Sequence, residues 1–251
     1  MEVVDITLFN NELDILDLRV KILEDVVDYF FILEATTTHQ GGPKENLANT
    51  YLHPKVKVIT FDFPEGLGNW DRVAYHRNQH IDFKTFGIDD DAIIITSDLD
   101  EVPDPKAIAW LKNNFNPDAL YCFEQLMFQY YLNVRNHSEE WNGSRACSVQ
   151  KYNEWGSEKI RNSKHLGLTL PQAGWHWSFL GGEKMIEEKI RSFAHTEYLN
   201  EETLSNIKTR LLNNEDVFNR GHKLETIEID ESFPDYIRDN QDKLAHLIRK
   251  D

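Results

Sequence analysis

Residues 92–104, Ala-Ile-Ile-Ile-Thr-Ser-Asp-Leu-Asp-Glu-Val-Pro-Asp, change abruptly from an apolar run to a cluster of four acids. The β-branched run is typical of a buried strand. Side chains two residues apart on a strand leave the same face, so Asp98 and Asp100 can share one divalent cation. This stretch therefore predicts a buried strand that ends at the edge of a sheet. We expect a metal site for a phosphorylated ligand at that strand end.

The residues before this stretch predict alternating strands and helices that form a mostly parallel, doubly wound α/β sheet. The expected elements are strand 3–9, a helix capped by Asn10 or Asn11, strand 29–35, strand 55–63 and helix 71–85. The segment 36–54 is rich in Thr, Gly, Asn and Pro and is expected to be a loop beyond a strand's carboxyl end.

The residues after the acidic stretch predict more helix than strand. Asp104 and Pro105 suit a helix start, as cap and first residue. Residues 119–134 are strand-like, whereas the pattern of 136–174 predicts no regular element. Further helices are expected at 182–193, 200–214 and 234–249, the second capped by Asn200.

Composition narrows the class of protein. A formal net charge of −16 over 251 residues opposes binding to nucleic acid. Two cysteines, Cys122 and Cys147, exclude a dense disulfide framework. Because no leader pattern or apolar membrane span is present, we expect a soluble cytoplasmic protein; its oligomeric state is left open.

Two enzyme classes use paired acids at the end of a strand. A nucleotide-sugar transferase would bind Mn²⁺ or Mg²⁺ at Asp100, with Asp98 reaching the metal or the ribose. A phosphatase of the haloacid dehalogenase type would use Asp98 and Asp100 as nucleophile and acid/base. In such phosphatases the motif ends the first strand, whereas here about ninety residues of βαβ pattern precede it. The position of the motif favours the transferase.

Several segments together resemble glycosyltransferase family 17. They are the opening strand and helix, 28–34, 42–44, Arg77-Asn78, 97–103, Gly174-Trp-His-Trp-Ser178 and 189–198. The resemblance implies a GT-A-like fold, a UDP-sugar donor such as UDP-N-acetylglucosamine (UDP-GlcNAc), a glycan acceptor and inversion at the anomeric carbon. We expect one domain over 1–251, with a nucleotide-sugar half at 1–135, an acceptor half at 136–200 and C-terminal helices at 200–251.

The resemblance makes Asp98 and Asp100 the donor-metal motif and Glu34 a candidate for the nucleoside pocket. Lys44, in the loop beyond the second strand, is expected to meet the donor. Arg77 can bridge a phosphate or hold Asp98, and the alternative is a surface ion pair. Its neighbour Asn78 is a further donor-site candidate.

Two histidines, His176 and His195, are candidates for the third metal ligand. The tryptophans beside His176 are candidates for the acceptor site. We favour His195 over His176, because GT-A enzymes often take a ligand from a late position. Trp175 and Trp177 flank His176 and can stack on sugar rings, with packing in the core as their alternative. The three residues 175–177 are therefore the predicted acceptor site.

An inverting transfer needs a general base for the acceptor hydroxyl. Glu124, after a strand-like run, is the preferred candidate. Glu101 is the second, although it can instead cap the next helix or orient Asp100. The function expected is metal-dependent transfer of GlcNAc from a UDP-sugar to a glycan, with the phosphatase, a nucleotide hydrolase or a non-catalytic sugar-binding module as alternatives.

Overall fold

The computed structural model describes residues 1–250, which are organised by two β-sheets. The strands are β1 Val3–Phe9, β2 Tyr29–Ala35, β3 Val56–Phe61, β4 Ile93–Asp98, β5 Glu101–Pro103, β6 Tyr121–Phe123, β7 Leu126–Gln129, β8 Val134–Asn136, β9 Arg145–Ser148, β10 Leu168–Leu170, β11 Gly174–Ser178 and β12 Leu224–Thr226. The α-helices are α1 Leu13–Leu23, α2 Asn69–Arg77, α3 Pro105–Asn114, α4 Val149–Asn162, α5 Gly182–Ser192, α6 Glu201–Leu212 and α7 Asp235–Asp239.

The larger sheet has seven strands in the order β10-β6-β9-β4-β1-β2-β3. Its strands are parallel except β9, which runs antiparallel to β4 and β6. The register of β1 with β4 aligns Leu8 with Asp98, so the acidic motif leaves the sheet beside the end of β1. The predicted α/β class, with a mostly parallel Rossmann-like sheet, is confirmed.

The central strands are apolar on both faces because helices cover both. Ile93 and Ile95 belong to the core that includes Leu16 of α1. Ile94 belongs to a second core on the opposite face, with Ile160 of α4. Each such side chain, fully buried, contributes about 1.5–3 kcal/mol to the free energy of unfolding.

The smaller sheet, in the order β12-β8-β7-β11-β5, positions the Gly-Trp-His-Trp-Ser segment. Strand β11 lies between β7 and β5. Gly174 starts this strand with a φ of +155°, and a Cβ there would lie 2.3 Å from the Val102 carbonyl oxygen. Only glycine therefore allows β11 to approach β5 this closely.

Two predicted helix starts are confirmed and one is wrong. Asp104 accepts a hydrogen bond from the Lys106 backbone N–H at the start of α3, and Asn200 accepts one from Thr203 at the start of α6. The predicted cap of α1 at Asn10 or Asn11 is wrong. Its N-cap residue is Glu12, whose carboxylate accepts the backbone N–H groups of both asparagines.

Four predicted elements have different extents. The predicted helix 71–85 is α2 at Asn69–Arg77 followed by a separate 3-10 turn at Phe83–Phe86, because Phe83 packs into the second core. The predicted helix 234–249 is regular only over α7, and turns carry Leu244 and Leu247 into the first core. The strand-like run 119–134 divides because β6 and β7 belong to different sheets. The stretch 136–174, for which no regular element was expected, contains strands β9 and β10 and helix α4.

No helix within residues 1–250 has the length and apolar character needed to cross a membrane. The division of the chain into a donor half, an acceptor half and C-terminal helices stays a prediction. Strands β9 and β10 of the predicted acceptor half lie in the same sheet as β1–β4.

A buried arginine joins α1 to the acidic motif. Arg19 is fully buried and forms two hydrogen bonds of 2.7 Å to the Asp5 carboxylate of β1. Its guanidinium also donates to the Ser97 hydroxyl at 2.7 Å and to the backbone carbonyl oxygens of Asp98, Leu99 and Glu101 at 3.3, 3.0 and 2.7 Å. The backbone of the acidic motif is therefore held from inside the protein.

Replacing Arg19 by methionine should lower the free energy of unfolding by about 3–5 kcal/mol, because Asp5 would remain buried without its counter-ion. Urea unfolding measures the change. The control is Arg191→Met, which removes a solvent-exposed ion pair with Glu187 and should cost about 0.5 kcal/mol or less. Equal losses in the two variants would contradict this role of Arg19.

Candidate active site

A cleft of about 670 Å³ opens at the carboxyl ends of β1, β2 and β4. Ligands of open α/β sheets bind at this edge. The residues that follow the three strands form its floor, including Asn10, His39 and Asp98–Asp100. Helices α2, α4 and α5 supply side walls through Arg77, Arg161 and Lys189.

Asp98 is held by two arginines. Arg77 donates to both of its carboxylate oxygens at 3.1 Å, and Arg161 lies 3.0 Å from Oδ2. Burial by itself would raise the pKa of Asp98, but Arg161 and then Arg77 outweigh it and lower the pKa to about 2. Asp98 is therefore a fixed anion. Arg77 contacts Asp98, as one of the two roles considered for it from the sequence requires.

Asp100 contacts a lysine and a histidine. Lys189 Nζ lies 2.7 Å from Oδ2, and His176 Nε2 lies 3.5 Å from Oδ1. Burial opposes ionisation of Asp100, but Lys189 foremost and also His176 hold its pKa well below the usual range. Conversely, Asp100 and Glu12 raise the pKa of Lys189 above its usual value although burial lowers it.

Glu101 holds neighbouring residues of the site in place through hydrogen bonds. Its side chain is fully buried and accepts hydrogen bonds from Arg161 at 2.6 and 2.7 Å, from the Trp141 indole at 2.8 Å and from the Asp98 backbone N–H at 2.9 Å. Gly143 must be glycine beside it, because a Cβ would lie 2.1 Å from the Glu101 carboxyl carbon. Its carboxylate is thus occupied by structural hydrogen bonds, and Glu101 does not line the cleft.

The side chains around the acidic motif supply part of the coordination that a divalent cation needs. Within residues 1–250, no three His, Cys, Asp or Glu side chains converge as a complete protein site. Asp100 and His176 nevertheless lie close enough to share an ion, because Oδ1 of Asp100 and Nε2 of His176 are 3.5 Å apart. Mg²⁺ is commonly held by one or two carboxylates together with substrate phosphates and water. Asp100 and His176 fit such a partial site.

The structure brings His176, and not His195, to the acidic motif. His195 Nδ1 lies 2.7 Å from Glu197, and its ring meets Trp70 edge-on with centroids 4.6 Å apart. No hydrogen bond or ion pair within residues 1–250 joins His195 to Asp98 or Asp100. His195 does line the same cleft, farther along its wall.

Three of the predicted donor residues lie outside the cleft. Glu34 is fully buried, pairs with Lys44 at 2.7 Å and accepts the backbone N–H groups of Leu47 and Ala48. The Glu34–Lys44 pair thus fixes the loop after β2. Asn78 accepts the Glu158 N–H through its side chain and joins α2 to α4.

The predicted acceptor tryptophans are packed in the core. Trp175 and Trp177 stack in parallel with ring centroids 5.8 Å apart, and both belong to the first core. Each indole N–H donates to a backbone carbonyl, that of Ser232 or Leu132. Neither lines the cleft. Their alternating positions on β11 turn both away from it, whereas His176 between them faces Asp100.

Glu124, the preferred general base, also lies away from the cleft. It follows β6, and its carboxylate accepts the backbone N–H of Gln172 at 3.0 Å. The carboxylates that line the cleft besides the acidic motif are Glu12, Glu139 and Glu158. Glu158 pairs with Arg77 at 2.8 Å, whereas Glu139 lies 3.3 Å from the His222 ring and 3.9 Å from the Arg220 guanidinium.

Two linked histidines line the loop side of the cleft. His76 Nε2 lies 2.7 Å from the Leu33 carbonyl oxygen and must donate to it, so Nδ1 of His76 accepts from Nε2 of His39 at 3.0 Å. Nδ1 of His39 then carries a lone pair. Burial is the main cause that lowers the pKa of His39 to about 4 and of His76 to about 3.

Sequence reasoning missed Arg161, Lys189, Trp141 and the histidine pair. Arg161 and Lys189 lie on helices whose charged residues look like ordinary solvent-facing positions in the sequence. The only signal in the sequence was the cluster of acids itself, which requires cations somewhere in the fold. Which cations meet it depends on how α4 and α5 pack.

The comparison with family models decides the class of this chain. The model of glycosyltransferase family 17 matches residues 1–238. The chain belongs to glycosyltransferase family 17. The acidic motif, Arg77 and the β11 segment all lie within the match.

Membership in family 17 favours the transferase over the phosphatase alternative and is consistent with the GT-A-like sheet. No curated protein matches the chain. A solved structure assigned as a glucose-1-phosphate thymidylyltransferase from Bacillus anthracis, in complex with a sucrose, is similar at 9% identity and a TM-score of 0.38 over 70% of this chain and 88% of that chain.

The buried histidine pair predicts a pH dependence of stability. From pH 6.5 to about 4 the unfolded chain binds protons that folded His39 and His76 do not. The free energy of unfolding should therefore decrease as the pH falls through this window, by up to about 1.4 kcal/mol per pH unit for each group. Chemical unfolding of the wild type and of His76→Gln should give a shallower slope for the variant. The same slope in both would contradict the assignment.

Proposed function

We propose that this family 17 protein is a metal-dependent inverting glycosyltransferase that moves GlcNAc from UDP-GlcNAc to a glycan. The observation that carries the proposal is the placement of Asp98 and Asp100 at the floor of a cleft formed by parallel strand ends. The nucleotide-sugar specificity and the metal come from the sequence resemblance. The metal fit at Asp100 and His176 is consistent with them.

The cleft also supplies cations for a diphosphate. Arg77, Arg161 and Lys189 surround the acidic motif, and their side chains are 13, 17 and 22% exposed. Phosphate oxygens are good acceptors for such groups. We propose that Asp100 and His176 would hold Mn²⁺ or Mg²⁺, which would supply charge neutralisation to the leaving UDP. Lys189, which contacts Asp100, is a further cation for the diphosphate.

The reaction itself is a single displacement. The acceptor hydroxyl oxygen forms a bond to the anomeric carbon as the bond from that carbon to the UDP oxygen breaks. The hydroxyl proton must go to a base that is free of strong cationic partners. We propose Glu139 for this role, because it lines the cleft and its contact with an arginine, Arg220, is 3.9 Å long. Asp98, Asp100 and Glu158 contact Arg or Lys at 3.0, 2.7 and 2.8 Å. The Glu12 carboxylate is engaged at the start of α1, where it accepts two backbone N–H groups.

A UDP-sugar should stabilise the protein only when a divalent metal is present, because a ligand that binds the folded state raises the melting temperature. Thermal unfolding is measured with UDP, UDP-GlcNAc and GDP-mannose, each with Mn²⁺ and with EDTA. We expect a shift with the UDP compounds that EDTA removes and that Asp100→Asn abolishes. The control Asp118→Asn changes an exposed carboxylate that does not line the cleft.

A metal-independent shift would contradict the metal assignment. Absence of any nucleotide shift, together with phosphate release from p-nitrophenyl phosphate, would support the phosphatase alternative.

The two candidate bases give a matched test. Glu139→Gln should lower the rate of sugar transfer by about 10²-fold or more while UDP-dependent stabilisation is retained, because a general base acts on the acceptor only. Glu124→Gln should keep a rate close to that of the wild type, since Glu124 does not line the cleft. Transfer is followed by UDP release from UDP-GlcNAc in the presence of a mixture of neutral glycans. The opposite order of losses would restore Glu124 as the base.

A further inference from the structure

The part of the cleft beyond the acidic motif has a continuous aromatic surface. We call it the aromatic wall and define it by five residues that all line the cleft: Trp70, Phe193, His195, Tyr198 and Phe218. Neighbouring rings are in contact, with centroids 4.6 Å apart for Trp70 and His195 and 4.2 Å apart for Tyr198 and Phe218. The wall joins the start of α2 to the segments after α5 and α6.

Helix α2 fixes the distance between the wall and the charged part of the cleft. Trp70, Val73 and Arg77 follow one another at three and four residues, and all three line the cleft. At 1.5 Å per residue, Trp70 lies roughly 10 Å along the helix from Arg77, which holds Asp98. A group stacked on Trp70 is therefore separate from a diphosphate bound near Arg77.

Among the aromatic residues that line the cleft, Trp70 alone is in large part exposed. It is 55% exposed, whereas the two tryptophans of β11 are 5 and 1% exposed. An indole left open to water inside a cleft is a poor contribution to stability but a good surface for an apolar ligand face. The edge-on contact with His195 also fixes the orientation of the indole ring.

We infer that the aromatic wall binds a neutral pyranose ring of the acceptor glycan, with Trp70 as its stacking surface. This inference rests on the proposed function, of which it specifies the acceptor site. The C–H face of a pyranose suits the indole, and its hydroxyl groups can bond to His195, whose contact with Glu197 uses only Nδ1 of the ring. The net charge of −16, Glu197 beside His195 and Glu139 in the cleft lining oppose an anionic sugar. Arg220, which packs on Phe218, is paired with Asp216 at 2.9 Å.

The test measures saccharide binding without turnover. Saturation-transfer NMR with N,N′-diacetylchitobiose, mannobiose and maltose, and with digalacturonate as the anionic probe, reports which sugars bind and which protons contact the protein. We expect at least one neutral probe to bind and digalacturonate not to bind. Trp70→Ala should weaken the binding by about tenfold and Trp70→Phe by less, because a smaller ring retains part of the stacking.

A matched control is available in Trp110 on α3, which is 49% exposed and does not line the cleft. Trp110→Ala should leave saccharide binding unchanged, and none of the variants should change the UDP-dependent thermal shift. Undiminished binding by Trp70→Ala, preferred binding of digalacturonate, or absence of binding by every neutral probe would overturn the inference.

The same measurements separate this inference from the proposed function. Neutral saccharide binding that depends on Trp70, without any UDP-dependent shift, would retain the sugar site and reject the proposed donor. A UDP-dependent shift without saccharide binding would retain the proposed donor and reject the sugar site on the aromatic wall. If Trp70→Ala lowered both saccharide and UDP binding together with the melting temperature, Trp70 would have a structural role and the inference would fail.

Discussion

The buried contact between Arg19 and Asp5 is the interaction on which the candidate site depends. One guanidinium bonds to the carboxylate of the central strand β1 and to four groups of the acidic stretch: the Ser97 hydroxyl and the backbone carbonyls of residues 98, 99 and 101. A loop that carries like charges would otherwise tend to open towards water. Because its backbone is held from the inside, the carboxylates can point into the cleft.

The second constraint is charge balance. The chain has 43 acidic and 27 basic residues, and arginine and lysine side chains lie beside the buried acids of the site. Asp98, Asp100 and Glu101 each contact at least one cationic side chain, and Arg161 contacts two of these acids. The result is a site that is anionic in its floor and cationic in its walls. Such a site suits a ligand that brings a diphosphate together with a divalent ion.

The sequence was informative where local pattern decides structure. The strands before the acidic motif, the starts of α3 and α6 and the sheet edge that carries Asp98 could all be predicted, because burial on both faces and helix caps leave local signals. The contact of Arg77 with Asp98 could be anticipated because a carboxylate at a strand end needs a cation nearby.

The remaining parts of the site depend on packing between distant segments. Helix α4 is interrupted at Gly156, which has positive φ, so residues 136–174 lack a continuous helical pattern and Arg161 went unnoticed. Trp175, His176 and Trp177 alternate on one strand, and the sequence does not tell which face of β11 is the core. The sequence around Trp70 indicates only a tryptophan near a helix start. Its place in the cleft depends on the segment after α5, which brings His195 into contact with it.

A crystal structure of the protein with UDP-GlcNAc and Mn²⁺ tests the central claim most directly. We predict the diphosphate within hydrogen-bond distance of Arg77 or Lys189 and an anomalous manganese peak bound by Asp100, with the backbone of 97–101 unchanged around Arg19. Nucleotide density outside the cleft, or a manganese ion held by residues other than Asp100, would contradict the account.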